Sequence, residues 1–88
     1  MHEFTLLKGL LSKIETIAEE NNSDRILSVT VKLGALSHIS PDHFREHFDQ
    51  AVVGTVAEGA KLTVRELTDM SDPDAQQIIL ESVEVSQE

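Results

Sequence analysis

Cysteine, tryptophan and tyrosine are all absent from this 88-residue chain, and three phenylalanines are its only aromatics. Without cysteine there is no disulfide, no thiolate nucleophile and no thiolate metal site. With so few rings, the core must be built from aliphatic side chains. No run approaches the ~18–20 apolar residues that a membrane span needs. The start carries Glu3 and no basic stretch before an apolar one, so it does not read as a signal peptide. Basic residues are scarce: 7 against 16 acidic ones, a net charge of −9. That balance disfavours a nucleic-acid partner, because a phosphate backbone calls for a basic face. The expectation is a cytoplasmic protein with neither nucleic acid nor membrane as partner. Enzyme signatures are missing as well: there is no Gly-x-Ser-x-Gly, no phosphate loop and no Gly-rich dinucleotide turn. The paired carboxylates Glu19 and Glu20 fall on a helix surface, not in an evident cleft. A non-enzymatic role follows.

What is present suffices for one small domain spanning residues 1–88. Apolar residues make up 40% of the chain, and a chain of this size buries only ~60–65% of its unfolded surface. Leu7, Leu10, Leu11, Ile14, Ile17 and Ala18 recur at three- and four-residue steps and predict a helix from Phe4 to about Asn21. Thr5 is the expected N-cap, and Asn21-Asn22-Ser23 the stop. Arg25 to Leu33 alternates, with Leu27, Val29, Val31 and Leu33 on the inward side, and reads as a strand ended by Gly34. Ser40-Pro41-Asp42 opens a second helix as cap, first-turn proline and first-turn acid. Phe44, Phe48, Ala51 and Val52 form its apolar stripe, and Gly54 follows its end. Lys61 to Leu67 predicts a strand with Leu62 and Val64 inward. Thr68 to Gln77 predicts a polar loop, and Ile78 to Val85 a last strand. In that strand Ile78 and Leu80 fall out of phase with Ile79, Val83 and Val85, as if both faces were partly covered. The expected fold is an α/β (α+β) two-layer sandwich. Two helices cover one face of a three-stranded sheet, in the order helix, strand, helix, strand, strand.

The candidate ligands are nitrogens. At Met1-His2-Glu3 the α-amine, the His2 amide and the His2 imidazole can converge, with the Glu3 carboxylate at the edge. That set suits a late first-row ion with a square-planar preference, such as nickel(II) or copper(II). The plain alternative is a histidine that merely follows Met1 in a frayed end. His43 and His47 stand four apart and share one helix face. At about 100° per residue they lie roughly 100° and 60° from Phe44, so they flank the buried stripe and do not centre it. They are either two boundary histidines or a pair able to bind zinc, nickel or copper. His-Phe-Arg-Glu-His is not the zinc-protease pattern, because Glu46 occupies the wrong slot. His38 sits in the connection after Gly34 as an exposed loop histidine or an outlying ligand. Asp69, Asp72 and Asp74 lack the closing Glu of a calcium loop and read as loop carboxylates.

Several stretches together resemble the HypA/HybF family, the nickel-insertion accessory proteins of [NiFe]-hydrogenase and urease maturation. They are the start Met1-His2-Glu3-Phe4, the strand ending Val31-Lys32-Leu33-Gly34-Ala35-Leu36-Ser37, and the helix from Pro41 through Phe44 and Phe48. The segments Gly54-Thr55 and Ala57-Glu58-Gly59-Ala60-Lys61-Leu62, and the ending Glu81-Ser82-Val83-Glu84-Val85, complete the set. The resemblance covers residues 1–67 and 78–85. It implies a nickel-binding domain of the same element order. It implies weak nickel(II) binding at His2, with backbone nitrogens of His2 and Glu3 contributing. It implies handover through a maturation GTPase of the HypB type to the hydrogenase large subunit. One departure is large. The family's zinc domain, with its two Cys-x-x-Cys motifs, is missing between the last two strands, and residues 68–77 bridge the gap, as if to close a hairpin. No structural zinc is therefore expected. His38, His43 and His47 match no family motif. A metal-independent interaction module that docks a basic partner through its acidic surface is the rival reading. A metal sensor using His43 and His47 is a third.

Overall fold

The computed structural model describes residues 2–86, with side chains from residue 5 onward in the first helix. Five elements follow in chain order: α1 (His2–Glu20), β1 (Ile26–Leu33), α2 (Pro41–Ala51), β2 (Lys61–Glu66) and β3 (Ile78–Val85). They form the expected α+β sandwich. The sheet order is β2-β1-β3, with β1 parallel to β2 and antiparallel to β3.

β1 is the axis of the fold because it is paired on both edges. Val29, Val31 and Leu33 are fully buried, and Val29 faces Leu62 on one side and Val83 on the other. α1 packs over β3 and α2 over β2. Leu7, Leu10, Ile14 and Ala18 of α1 meet Phe44, Phe48 and Val52 of α2 and its C-terminal edge in one cluster above the sheet. The opposite face is polar. There Ser28 donates to Glu84, and Arg65 of β2 reaches Glu81 of β3 at 2.9 Å.

Four expectations need correction. Thr5 does not cap α1, since the helix already includes His2 and Glu3. Nothing in His2-Glu3-Phe4 breaks a helix, so the chain stays helical through the position where a cap would need to leave it. Leu27 is not inward but 42% exposed, whereas its neighbour Ile26 is buried. The β1–β3 register shifts between Ile26 and Ser28. The extra residue in a bulge turns the chain, so Ile26 joins the face of Val29 and Leu27 is turned out. A second shift, between Thr30 and Val31, leaves Glu81 as the extra residue of β3. It places Ile78, Leu80, Val83 and Val85 together against the core and leaves Ile79 opposite Lys32. The broken alternation is therefore one inward face interrupted by a bulge, not two covered faces.

The fourth correction concerns residues 68–77. They close no β2–β3 hairpin, because those strands flank β1 on opposite sides. The segment crosses the end of β1 instead. Leu67 N–H donates to Leu33 O, Gly34 N–H to Gln77 O, and Leu36 N–H to Ala75 O. Within the crossing segment, Ala75 is buried. A Cβ on Gly34 would lie 2.2 Å from Ala75 O, so glycine is what lets the bridge lie down.

Candidate metal centre

The two helix starts hold the nitrogen ligands of interest. The amides of a helix's first turn have no carbonyl four residues back to bond. At α2 that need is met locally. Ser40 has extended backbone, its hydroxyl accepts the His43 N–H at 3.1 Å, and Pro41 brings no N–H to satisfy. At α1 the helix begins at His2, behind Met1, a residue with no side-chain oxygen to offer as a cap. The backbone nitrogens of His2 and Glu3 are therefore not committed to the helix ladder. Met1 itself and the side chains of His2 and Glu3 lie outside the described residues, so the terminal ligand set keeps the standing of an expectation.

The structure brings His43 and His47 together. Their Nε2 atoms are 3.2 Å apart, with ring centroids separated by 4.4 Å and planes inclined at 79°. One ring donates its Nε2 proton and the other accepts. The pair is held by α2 itself, whose Phe44 and Phe48 are fully buried against the sheet. Arg45, between the two histidines, is tied to β2 through Leu62 O at 3.0 Å. His43 is exposed and His47 half-buried. His47 lines a shallow groove of about 310 Å³ with Gln50, Ala51 and Leu7 of α1. Leu7 stands one turn beyond Glu3, about 6 Å along the helix axis, so this groove opens on the side of the α1 start.

The other candidates do not converge. His38 is exposed in the connection after β1 with φ 61°, the left-handed region that few non-glycine residues enter but in which His, like Asn and Asp, is enriched. Asp69 accepts from the Ser71 hydroxyl at 2.7 Å and its N–H at 3.0 Å. The hydroxyl first, and the amide second, hold the Asp69 carboxyl below its ordinary value. Asp72 likewise accepts the Asp74 N–H at 2.7 Å. These carboxylates shape turns of the bridge, as their spacing suggested. Among the described residues no three His, Asp or Glu side chains converge as a metal cage. No described helix is long and apolar enough to cross a membrane.

Comparison with known proteins places the chain in a family context. The family model described as "Hydrogenase/urease nickel incorporation, metallochaperone, hypA" matches residues 1–71. The chain is 42% identical over 67 residues to "Hydrogenase maturation factor HypA 1" of Bradyrhizobium diazoefficiens, covering 76% of this chain and 59% of that protein. It is 42% identical over 62 residues to "Hydrogenase maturation factor HypA" of Aquifex aeolicus, covering 70% of this chain and 54% of that one. The chain thus spans little more than half the length of these curated relatives. The solution structure of the Ni metallochaperone HypA from Helicobacter pylori superposes with a TM-score of 0.81 over the whole of both chains, at 19% identity. A second HypA solution structure gives 0.76 at 20% identity. At these identities the likeness is one of fold.

Proposed function

Since the chain belongs to the HypA family of hydrogenase/urease nickel-incorporation metallochaperones, we propose that it binds nickel(II) as cargo at Met1-His2-Glu3 and presents it to a maturation partner. The observation that carries this reading is the position of that tripeptide at the head of α1. Four donors are available in sequence there: the Met1 amine, the His2 and Glu3 amide nitrogens and the His2 imidazole. The Glu3 carboxylate lies at the rim. Square-planar nickel(II) accepts such a nitrogen set once the amides have given up their protons. Losing those protons costs α1 no ladder bond, because first-turn amides have no intrahelical acceptor.

Two electrostatic effects oppose each other at this end. The positive end of the helix dipole disfavours a cation by roughly 0.3–1 kcal/mol. The acidic surface, with a net charge of −9, raises the local cation concentration. Deprotonated amides tip the balance, because they put anionic donors where the dipole is positive. An exposed terminal site of this kind releases its ion readily, as a carrier must. The handover partners proposed are a GTPase of the HypB type and the hydrogenase large subunit, in the cytoplasm. Residues 68–77 stand where the family's zinc domain is expected. With no cysteine among these 88 residues, none of them can supply a thiolate to zinc.

The test is a nickel(II) titration of the untagged chain, of His2→Ala and of N-terminally acetylated protein, followed by the square-planar d–d absorption band. One equivalent with that band is expected for the untagged chain, and no band for the other two. An unchanged band in His2→Ala sinks the reading.

A further inference from the structure

We propose that His43 and His47 form a second, exchangeable site for a borderline divalent cation of the zinc(II) or cobalt(II) type, distinct from the terminal site in its ligands. Three observations meet here.

The first is the bite. Two imidazole nitrogens bound at 2.0–2.1 Å to one ion, at an angle between 90° and 110°, stand about 2.9–3.4 Å apart. The Nε2 atoms of His43 and His47 are 3.2 Å apart. An ion can therefore take the place of the shared proton, each ring turning so that its Nε2 lone pair meets the ion off the line between the two nitrogens. In that exchange the donor ring passes its proton from Nε2 to Nδ1, so both rings stay neutral and both Nε2 lone pairs face the metal.

The second is rigidity. A helix holds residues i and i+4 on one face. This turn of α2 is fastened from three directions: the Ser40 cap on His43 N–H, the buried rings of Phe44 and Phe48, and Arg45 on Leu62 O. The backbone that carries the ligands is thus ordered before a metal arrives, which lowers the entropic cost of chelation.

The third is chemistry. Two imidazoles supply two donors, and water or a further side chain can complete the set; among the described residues no group of three His, Asp or Glu closes a cage by itself. Zinc(II) and cobalt(II) accept imidazole ligands in tetrahedral or mixed water geometry. The neighbouring acids Asp42, Glu46 and Asp49 on the same helix favour a cation. The same ions do not call for the amide deprotonation that the terminal nickel set needs. The two sites therefore sort metals by donor type.

Zinc(II) alone is the probe. Titrated into full-length His2→Ala, it should shift the ¹⁵N resonances of the His43 and His47 rings and raise the melting temperature. The double variant His43→Ala/His47→Ala should bind zinc(II) at least tenfold more weakly, with unchanged far-UV circular dichroism. His38→Ala should bind as the wild type does. Unshifted His43 and His47 rings in His2→Ala, or undiminished zinc(II) affinity in the folded double variant, overturns the site. Should the terminal nickel reading fail, the zinc(II) result on the His2→Ala background still stands.

Discussion

α1 and α2 each carry a histidine in the first turn, yet the two helix starts differ in what they leave for a metal. α2 opens with Ser40-Pro41, and the Ser40 hydroxyl takes up the His43 amide. Its backbone is closed to metals, so only the side chains of His43 and His47 remain as ligands. α1 opens behind Met1, and the residue expected to cap it, Thr5, lies inside the helix. Its first-turn backbone nitrogens have no intrahelical acceptor, and the proposed nickel site uses them as ligands. In our proposals the capped start of α2 offers imidazoles to zinc-like ions. In the proposed function the α1 start offers a nitrogen chelate to nickel-like ions. The metal chemistry proposed for a first-turn histidine is thus tied to how its helix start is satisfied.

The contrast can be tested by loosening one side at a time. Phe48→Ala removes a fully buried ring that seats α2 on the sheet. It should cost about 3–5 kcal/mol in urea unfolding and abolish the zinc(II)-induced rise in melting temperature. Acetylating the Met1 amine should weaken nickel(II) binding by about 100-fold or more, equivalent to ~2.7 kcal/mol. It should leave the His43–His47 pair and thermal stability untouched. Equal losses at both sites would show that the two starts are not independent. Ser40→Ala opens the closed start. It should cost ~1 kcal/mol and loosen the His43 end of the pair, while Ser40→Asp restores both stability and zinc(II) affinity.

The smallest effect lies away from both helix starts and serves as a reference. The Asp69 carboxyl is held below its ordinary value of 3.8 by Ser71. A lowered folded-state value contributes stability above 3.8 that is lost as pH falls through the lower value. Asp69 is fully solvent-exposed, so the contribution is slight. Asp69→Asn should lower the melting temperature slightly at neutral pH and converge on the wild type below pH 3.8, with nickel(II) and zinc(II) binding unaffected.

Much of this could be read along the chain because the forces involved are local. The apolar spacing from Leu7 to Ala18 marked α1, and Ser40-Pro41-Asp42 marked the start of α2 to the residue. The candidate ligands were legible too, since a histidine after Met1 and a pair at i, i+4 are visible without coordinates. Other features rest on pairings between distant residues. The out-of-phase run Ile78-Ile79-Leu80 made sense only once β3 was laid against β1 with Glu81 as the extra residue. Leu27 and Ile26 exchanged roles for the same kind of reason. The segment 68–77 looked like a hairpin loop because β2 and β3 are consecutive. Its crossing over Gly34 depends on β1 taking the middle place in the sheet.

Composition and spacing by themselves determined the class of molecule: a small acidic α+β chain without cysteine, with candidate histidine ligands after Met1 and at an i, i+4 spacing on the second helix. Tertiary structure alone decided the strand order, the two bulges and the path of residues 68–77. It also set the 3.2 Å separation of the His43 and His47 nitrogens. The physical reason is the reach of the forces. Helix periodicity and caps act within a few residues, so a chain displays them directly. Sheet register and ring-to-ring distance are set by packing among residues far apart in sequence, and exist only once the helices have closed over β1.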